Sequence, residues 1–172
     1  MHFMIDIETF GVGLDAAVFE IACVGFDEGL DPNTWPSLHL YVIPEGECDP
    51  DTILWWLRQE RILPQPVEFI SYKAALSRLA TFIMGKPMPR KFWSHGVFFD
   101  LAILTRAYRS YTMELPWDHR SLYDTRTLEL LCEARGIDTT KPPNSNKHCA
   151  LSDARCQAQW VAGMLKEHHA RP

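Results

Sequence analysis

The hydrophobic positions of this chain follow two successive periods. Up to about residue 43 the apolar residues form short runs, such as Phe3-Met4-Ile5-Asp6-Ile7 and Val18-Phe19-Glu20-Ile21-Ala22. These runs predict strands over about 2–8, 17–27 and 37–43. From residue 49 the spacing turns helical. Asp49-Pro50 offers an N-cap and first-turn pair, predicting a helix over about 50–60 with Ile53, Trp56 and Leu57 on its apolar face. A second helix over about 72–84 presents Leu76, Leu79, Ala80 and Ile83 together. Lys91-Phe92-Trp93-Ser94 predicts a strand, Gly96 its exit turn, and Val97, Leu101, Leu104 and Tyr108 the stripe of a helix from Val97 onward. After a short strand, Asp124 is placed to cap a helix that carries Leu128, Leu131 and Cys132 on one face and ends at Gly136. The last helix has Leu151, Ala154, Ala158, Val161 and Leu165 at core spacing. Strands followed by alternating units imply an α/β fold, a mixed sheet with helices on both faces.

Several acids break this pattern. Asp6 and Glu8 lie two apart in the first strand, so their side chains share a face. Adjacent carboxylates repel, and they are tolerated either as solvated edge acids or where a cation neutralises them. All-oxygen ligands suit Mg²⁺ or Mn²⁺. Asp100 falls in the first turn of its helix beside the apolar stripe, a costly place for an unpaired acid. Asp153 flanks the stripe of the last helix, on the row of Gln157, Trp160 and Met164. His148 precedes it by five residues, about 140° round an ideal helix. That offset assigns His148 to the loop entering the helix, where it either caps the helix or swings over a site.

Taken in order, Asp6-x-Glu8 on the first strand, Asp100 opening a helix after a strand, and His148-x₄-Asp153 resemble the DEDDh group of 3′–5′ exonucleases. Within that group the chain is most similar to the small bacterial and phage exonucleases of the exodeoxyribonuclease VIII-like and mycobacterial exoribonuclease-like type. Asp51 to Gln59 and the block Trp93 to Asp100, with Gly96 and Phe99 in place, carry this likeness. The resemblance implies a ribonuclease H-like fold and phosphodiester hydrolysis at the 3′ end of single-stranded RNA or DNA. It implies two divalent cations, Mg²⁺ or Mn²⁺, with Asp6 between them, Glu8 and Asp153 on one and Asp100 on the other. His148 would be the general base, and Thr9 and Phe10 would meet the terminal sugar and base. Relatives of this group often pair as homodimers. Two departures stand out: His95-Gly96 where the group often has Asn, and Thr9-Phe10-Gly11 where many relatives have Thr-Thr-Gly. Relatives also often carry an acid at Glu20, either as an accessory to the site or as a structural group. Trp55, off the apolar face of its helix, is a candidate for stacking on a base.

Length and composition narrow the rest. At 172 residues and 47% hydrophobic, the chain suffices for one domain, 1–172, with a sizeable core. The net charge of −5 does not suit an enzyme that tracks a long duplex. Local positives at Lys86, Arg90, Lys91, Arg106, Arg109, Lys141, Lys147 and Arg155 suit a grip on a few terminal nucleotides. Five cysteines without a Cys-x-x-Cys pair point to free thiols in a reducing cytoplasm and away from a zinc module. No apolar run suggests a signal peptide or a membrane span. The stretch Thr139 to Lys147, rich in Pro and Asn, is expected as a surface loop that could act as a lid. Two rival functions share this scaffold: a phosphoesterase acting on short nucleotides, and a nucleic-acid-binding module that does not cut.

Overall fold

The structure, a computed structural model, describes residues 1–59 and 67–170. Six strands form one sheet in the order β4-β3-β2-β1-β5-β6: β1 (His2–Thr9), β2 (Val18–Phe26), β3 (Ser37–Val42), β4 (Phe69–Ile70), β5 (Lys91–Ser94) and β6 (Leu122–Asp124). The three early strands lie where the apolar runs place them and pair as an antiparallel meander, with Asp6 opposite Ala22 and Glu8 opposite Glu20. Beyond β1 the pairing turns parallel, through β5 and then β6. The carboxyl ends of β1 and β5 therefore emerge side by side, the position where open α/β sheets place their ligands.

The alternation along β1 assigns the two faces. Phe3, Ile5 and Ile7 point into a core shared with α2 (Tyr72–Met84) and α3 (Asp100–Ser110), where Phe3 and Phe92 stack at 5.3 Å. Met4 points the other way, with Ala22, Val24 and Phe26, towards α5 (Ala150–Ala170) and the buried Cys132 of α4 (Thr125–Ala134). Asp6 and Glu8 lie on the Met4 row and so face the start of α5. The sheet thus has helices on both faces. No described helix is long and apolar enough to cross a membrane.

Where the elements depart from the pattern, local contacts explain it. Helix α1 (Pro50–Trp56) is shorter than expected, and the remainder of the 50–60 prediction falls partly on residue 60, outside the described residues. Its supposed apolar face is not core: Ile53 is 38% and Leu57 77% exposed, and only Trp56 turns inward. The Trp56 indole N–H donates to the Thr9 carbonyl at 2.8 Å, which ties α1 to the carboxyl end of β1 at the rim of a cleft. The helix expected from Val97 begins at Asp100. Gly96, at φ +118°, turns the chain sharply in a conformation open mainly to glycine, and Asp124 Oδ2 accepts the Val97 N–H at 2.9 Å. Phe98 is left 90% exposed. Leu131 is 57% exposed, so of the predicted apolar face of α4 only Cys132 and part of Leu128 are buried. Helix α5 buries more than its predicted stripe, because Trp160 and Met164 also turn inward. The two-residue β4 is too short to carry a period, and it is recognised only by its parallel pairing with β3.

Asp124 caps α4 through the Arg126 N–H and also holds the turn that delivers Asp100. Asp124→Ala is expected to cost about 1–2 kcal/mol. The cost is read as a lower urea midpoint at unchanged slope. A midpoint equal to that of the parent would show that neither hydrogen bond matters to the fold.

Candidate active site

Three elements deliver the acids to one end of the sheet. The carboxyl end of β1 supplies Asp6 and Glu8, the first turn of α5 supplies Asp153, and one carboxylate oxygen from each lies within 4.8 Å of the others. Asp100 approaches from the start of α3, near enough for its charge to act on Asp6. It is 5% exposed, and its Oδ1 accepts the N–H of Ile7, the residue between Asp6 and Glu8, at 3.1 Å. Three of the four acids of the sequence pattern thus meet, and the fourth, Asp100, bonds the backbone between two of them.

Neutral donors orient these acids. Gln157, one turn beyond Asp153, donates from Nε2 to Asp6 Oδ1 at 2.8 Å. The Asn144 side-chain amide donates to Asp153 Oδ1 and the His148 backbone N–H to Asp153 Oδ2, both at 2.7 Å. Asn144 is fixed in turn, since its Oδ1 accepts from the Asn146 N–H and the Ser152 hydroxyl. Neither Gln157 nor Asn144 is apparent as a site residue from the sequence. The only signals are Gln157 on the Asp153 row and Asn144 within the polar loop before His148.

The electrostatic consequence is a set of carboxyls with raised proton affinity. Burial, and then the charges of Asp100, Glu8 and Asp153, push Asp6 well above the usual carboxylate range against the pull of Gln157. Burial pushes Asp100 up to about 7, opposed by the Ile7 N–H and by the Arg126 charge. Asp153 is raised by burial, opposed by its bonds from His148 and Asn144. A cation would reverse all three shifts. The donor set fits one: Mg²⁺ sits about 2.0–2.1 Å from each oxygen, so its ligand oxygens lie up to about 4 Å apart. The cluster closes to that spacing by side-chain rotations of about an ångström.

His148 occupies the loop entering α5, at φ +61°, an uncommon conformation for a residue with a Cβ. Its ring meets Trp55 edge-on at 4.7 Å and Trp56 at 6.2 Å. Two cavities flank the acids. One, of about 460 Å³, is lined by Glu8, Thr9, Val12, Thr52, Trp55, Trp56 and Phe99. The other, of about 530 Å³, is lined by His95, Lys141, Asn144, Lys147, His148, Asp153 and Trp160. Thr9 is buried, with its hydroxyl on the Gly11 carbonyl at 2.6 Å. The Phe10 ring stacks on Phe19 at 4.4 Å and is not among the residues lining the first cavity.

The remaining candidates divide. Glu20 is fully buried and accepts from His39 Nε2 at 2.6 Å and from the Ala150 N–H at 3.0 Å, so it anchors the start of α5. Among the basic residues, Lys141 and Lys147 line the second cavity, with the Lys141 ammonium 4.3 Å from the centre of the Trp160 ring. Arg106, by contrast, pairs with Asp15, Arg90 bonds the carbonyls of Met84 and Lys86, and Arg155 bonds Ser37.

Comparison with known proteins supplies the frame for this geometry. The model of the 3′–5′ exoribonuclease Rv2179c-like domain matches residues 1–165. No curated protein sequence matches the chain. Among solved structures it is similar to the nuclease domain of 3′hExo, a DEDDh family member bound to rAMP, at TM-score 0.63 and 15% identity over 96% of this chain and 92% of that one. It is similar to exonuclease X in complex with 5′ overhanging duplex DNA, at TM-score 0.58 and 20% identity over 98% and 93% of the two chains. It is also similar to E. coli exonuclease I in complex with a dT13 oligonucleotide, at TM-score 0.70 and 17% identity, over 99% of this chain and 42% of that one. These likenesses establish the ribonuclease H-like DEDDh nuclease fold, and the match across residues 1–165 establishes the rest: the chain belongs to the Rv2179c-like 3′–5′ exoribonuclease domain family and is a nuclease of the hydrolase class.

Proposed function

We propose that this enzyme removes nucleotides one at a time from the 3′ end of single-stranded nucleic acid, with RNA favoured by the family to which it belongs. The observation that carries the proposal is the meeting of Asp6, Glu8 and Asp153 within 4.8 Å, with Asp100 tied to the same strand, between two cavities. Asp6, Glu8, Asp100 and Asp153 would hold two divalent cations, Mg²⁺ or Mn²⁺. Such ions lower the pKa of water and offset charge on the attacking and leaving oxygens.

The chain's own residues do the rest. Gln157 fixes the carboxylate of Asp6, Asn144 and the His148 N–H fix that of Asp153, and Ile7 fixes Asp100. The terminal nucleotide lies in the cavity beside Thr9, whose carbonyl is braced by Trp56. Phe10 supports that wall from behind through its stack on Phe19, and Trp55 offers a ring to the base. The preceding nucleotides run into the cavity lined by Lys141 and Lys147, where ammonium groups meet phosphates. The imidazole of His148, which lines the second cavity and meets the Trp55 ring of the first, takes the proton of the attacking water. A second cavity beyond the acids favours a polymeric substrate over an isolated short nucleotide. The working location is the cytoplasm, and the enzyme acts alone or as a homodimer.

Three outcomes test this. An oligoribonucleotide labelled at its 5′ end should shorten in single steps with Mg²⁺ or Mn²⁺, and a 3′-phosphate should block it. Asp6→Ala or Asp153→Ala should abolish the ladder, whereas cleavage of a circular strand would identify an endonuclease.

His148→Ala should lower turnover by about 10²–10⁴, the range for a lost general base. It should also change the pH profile of the rate at saturating metal, because a general base acts only in its unprotonated form. Turnover near that of the parent, with the same pH profile, would make His148 a helix-entry cap.

The third outcome follows from the raised carboxyls. Asp100 is held up to about 7 in the folded state, against about 3.9 in an unfolded chain. The folded protein therefore binds more protons between those values, and its metal-free stability falls as pH rises across the window. His2, held down to about 4 by burial and by Lys91, works in the opposite direction over part of the same range. The comparison is accordingly parent against Asp100→Asn in a chelator: the parent should fall more steeply with pH than the variant, which keeps only the components of Asp6 and Asp153. Mn²⁺ should raise the parent's melting temperature more at pH 8 than at pH 5. Identical pH profiles for parent and variant would show that Asp100 is not strained by its burial.

A further inference from the structure

Glu20 raises a question that the nuclease reading leaves open. It lies on β2 directly across from Glu8, on the same face of the sheet, and it is fully buried. His39, on the neighbouring β3, points to the same face and places Nε2 2.6 Å from Glu20 Oε1. The loop into α5 then brings the Cys149 thiol to this pair, and the ligand atoms of Glu20, His39 and Cys149 lie within 4.8 Å of one another. Three different elements thus aim a carboxylate, an imidazole and a thiol at one point.

We propose that Glu20, His39 and Cys149 form a second cation site, specific for a thiophilic divalent ion of the zinc class and separate from the all-carboxylate cluster. The ligand chemistry distinguishes the two sites. Carboxylates alone suit Mg²⁺ and Mn²⁺, whereas thiolate with imidazole suits Zn²⁺ and disfavours Mg²⁺. Charge supports the assignment, since one carboxylate and one thiolate offset a dication while the imidazole stays neutral, leaving no net buried charge. Binding releases the thiol proton, shifts the His39 proton from Nε2 to Nδ1 so that the imidazole stays neutral, and opens the His39–Glu20 hydrogen bond; Nε2 and the carboxylate oxygen then bond the ion.

The geometry requires little movement. Ligand atoms around a tetrahedral zinc, at about 2.0–2.3 Å from the metal, lie about 3.3–3.6 Å apart. The close pair must separate by under an ångström, and the widest must approach by little more than one. Glu20 keeps its bond from the Ala150 N–H throughout. His39 and Cys149 are half-buried, so they have room to rotate, and a water completes the fourth position from outside. The three residues are widely separated in sequence, which is why no cysteine spacing signals the site. Cys149 lies between His148 and the first residue of α5, so a loaded site fixes the residue beside the proposed base.

Cobalt tests this directly, because a thiolate ligand gives Co²⁺ a charge-transfer band that oxygen ligands do not. The protein, held in excess Mg²⁺ to occupy the carboxylate cluster, is titrated with Co²⁺. A band saturating at a single equivalent and bleached by Zn²⁺ is expected. Cys149→Ser should abolish it, His39→Ala should weaken cobalt affinity at least tenfold, and Asp153→Asn should leave it intact. Circular dichroism confirms that each variant is folded, and His39→Gln replaces the alanine variant should that one unfold. Hydrolysis is measured on the same samples, so a missing cobalt site and a failed nuclease reading give different results. Absence of the band in the parent, or its survival in Cys149→Ser, overturns the proposal.

Discussion

Mutual repulsion among carboxylates at the carboxyl end of β1 is the constraint around which the rest of this protein is arranged. Asp6 is crowded by Glu8 on its own strand, by Asp153 from α5 and by Asp100 from α3. The partners that orient Asp6, Asp100 and Asp153 are neutral: an amide from Gln157, a backbone N–H from Ile7, and an amide and a backbone N–H at Asp153. Neutral donors fix direction without cancelling charge. A lysine in place of Gln157 would relieve the repulsion and would leave less for a cation to neutralise. The site therefore keeps an unfavourable charge distribution in its metal-free form, and the surrounding core makes that tolerable.

The topology explains how so short a chain assembles the cluster. Placing β1 between an antiparallel and a parallel neighbour brings the ends of β1 and β5 together. The turn at Gly96, braced by Asp124, then starts α3 immediately above the acids of β1. On the other face, Glu20 holds the first residue of α5, which sets Asp153 against Asp6 and Glu8. One buried acid thus positions the helix that carries another. The same arrangement brings His39 and Cys149 to Glu20, which leaves a thiol-containing ligand set next to an all-oxygen one.

Much of this was legible in the residues themselves. The three early strands, the shared face of Asp6 and Glu8, the cap at Asp124 and the loop position of His148 all follow from period and local chemistry. The elements misjudged are those whose environment is set from a distance. The spacing of Ile53 and Leu57 looks like a core stripe, but Trp56 anchors α1 to the cleft rim through the Thr9 carbonyl, and those side chains stay exposed. Leu131 has helical spacing with Cys132 and yet lies on the outer side of α4. Gln157, Asn144 and the Glu20–His39 pair act through partners that no local pattern relates to them.

The central claim is that the carboxylates of β1, α3 and α5 jointly hold a pair of divalent cations. Anomalous scattering from crystals soaked in Mn²⁺ tests it most directly. Two peaks about 3.5–4 Å apart, with an Asp6 oxygen between them and Glu8, Asp100 and Asp153 around them, are the predicted result. Manganese bound elsewhere on the protein, with these four carboxylates left bare at saturating metal, would contradict the account.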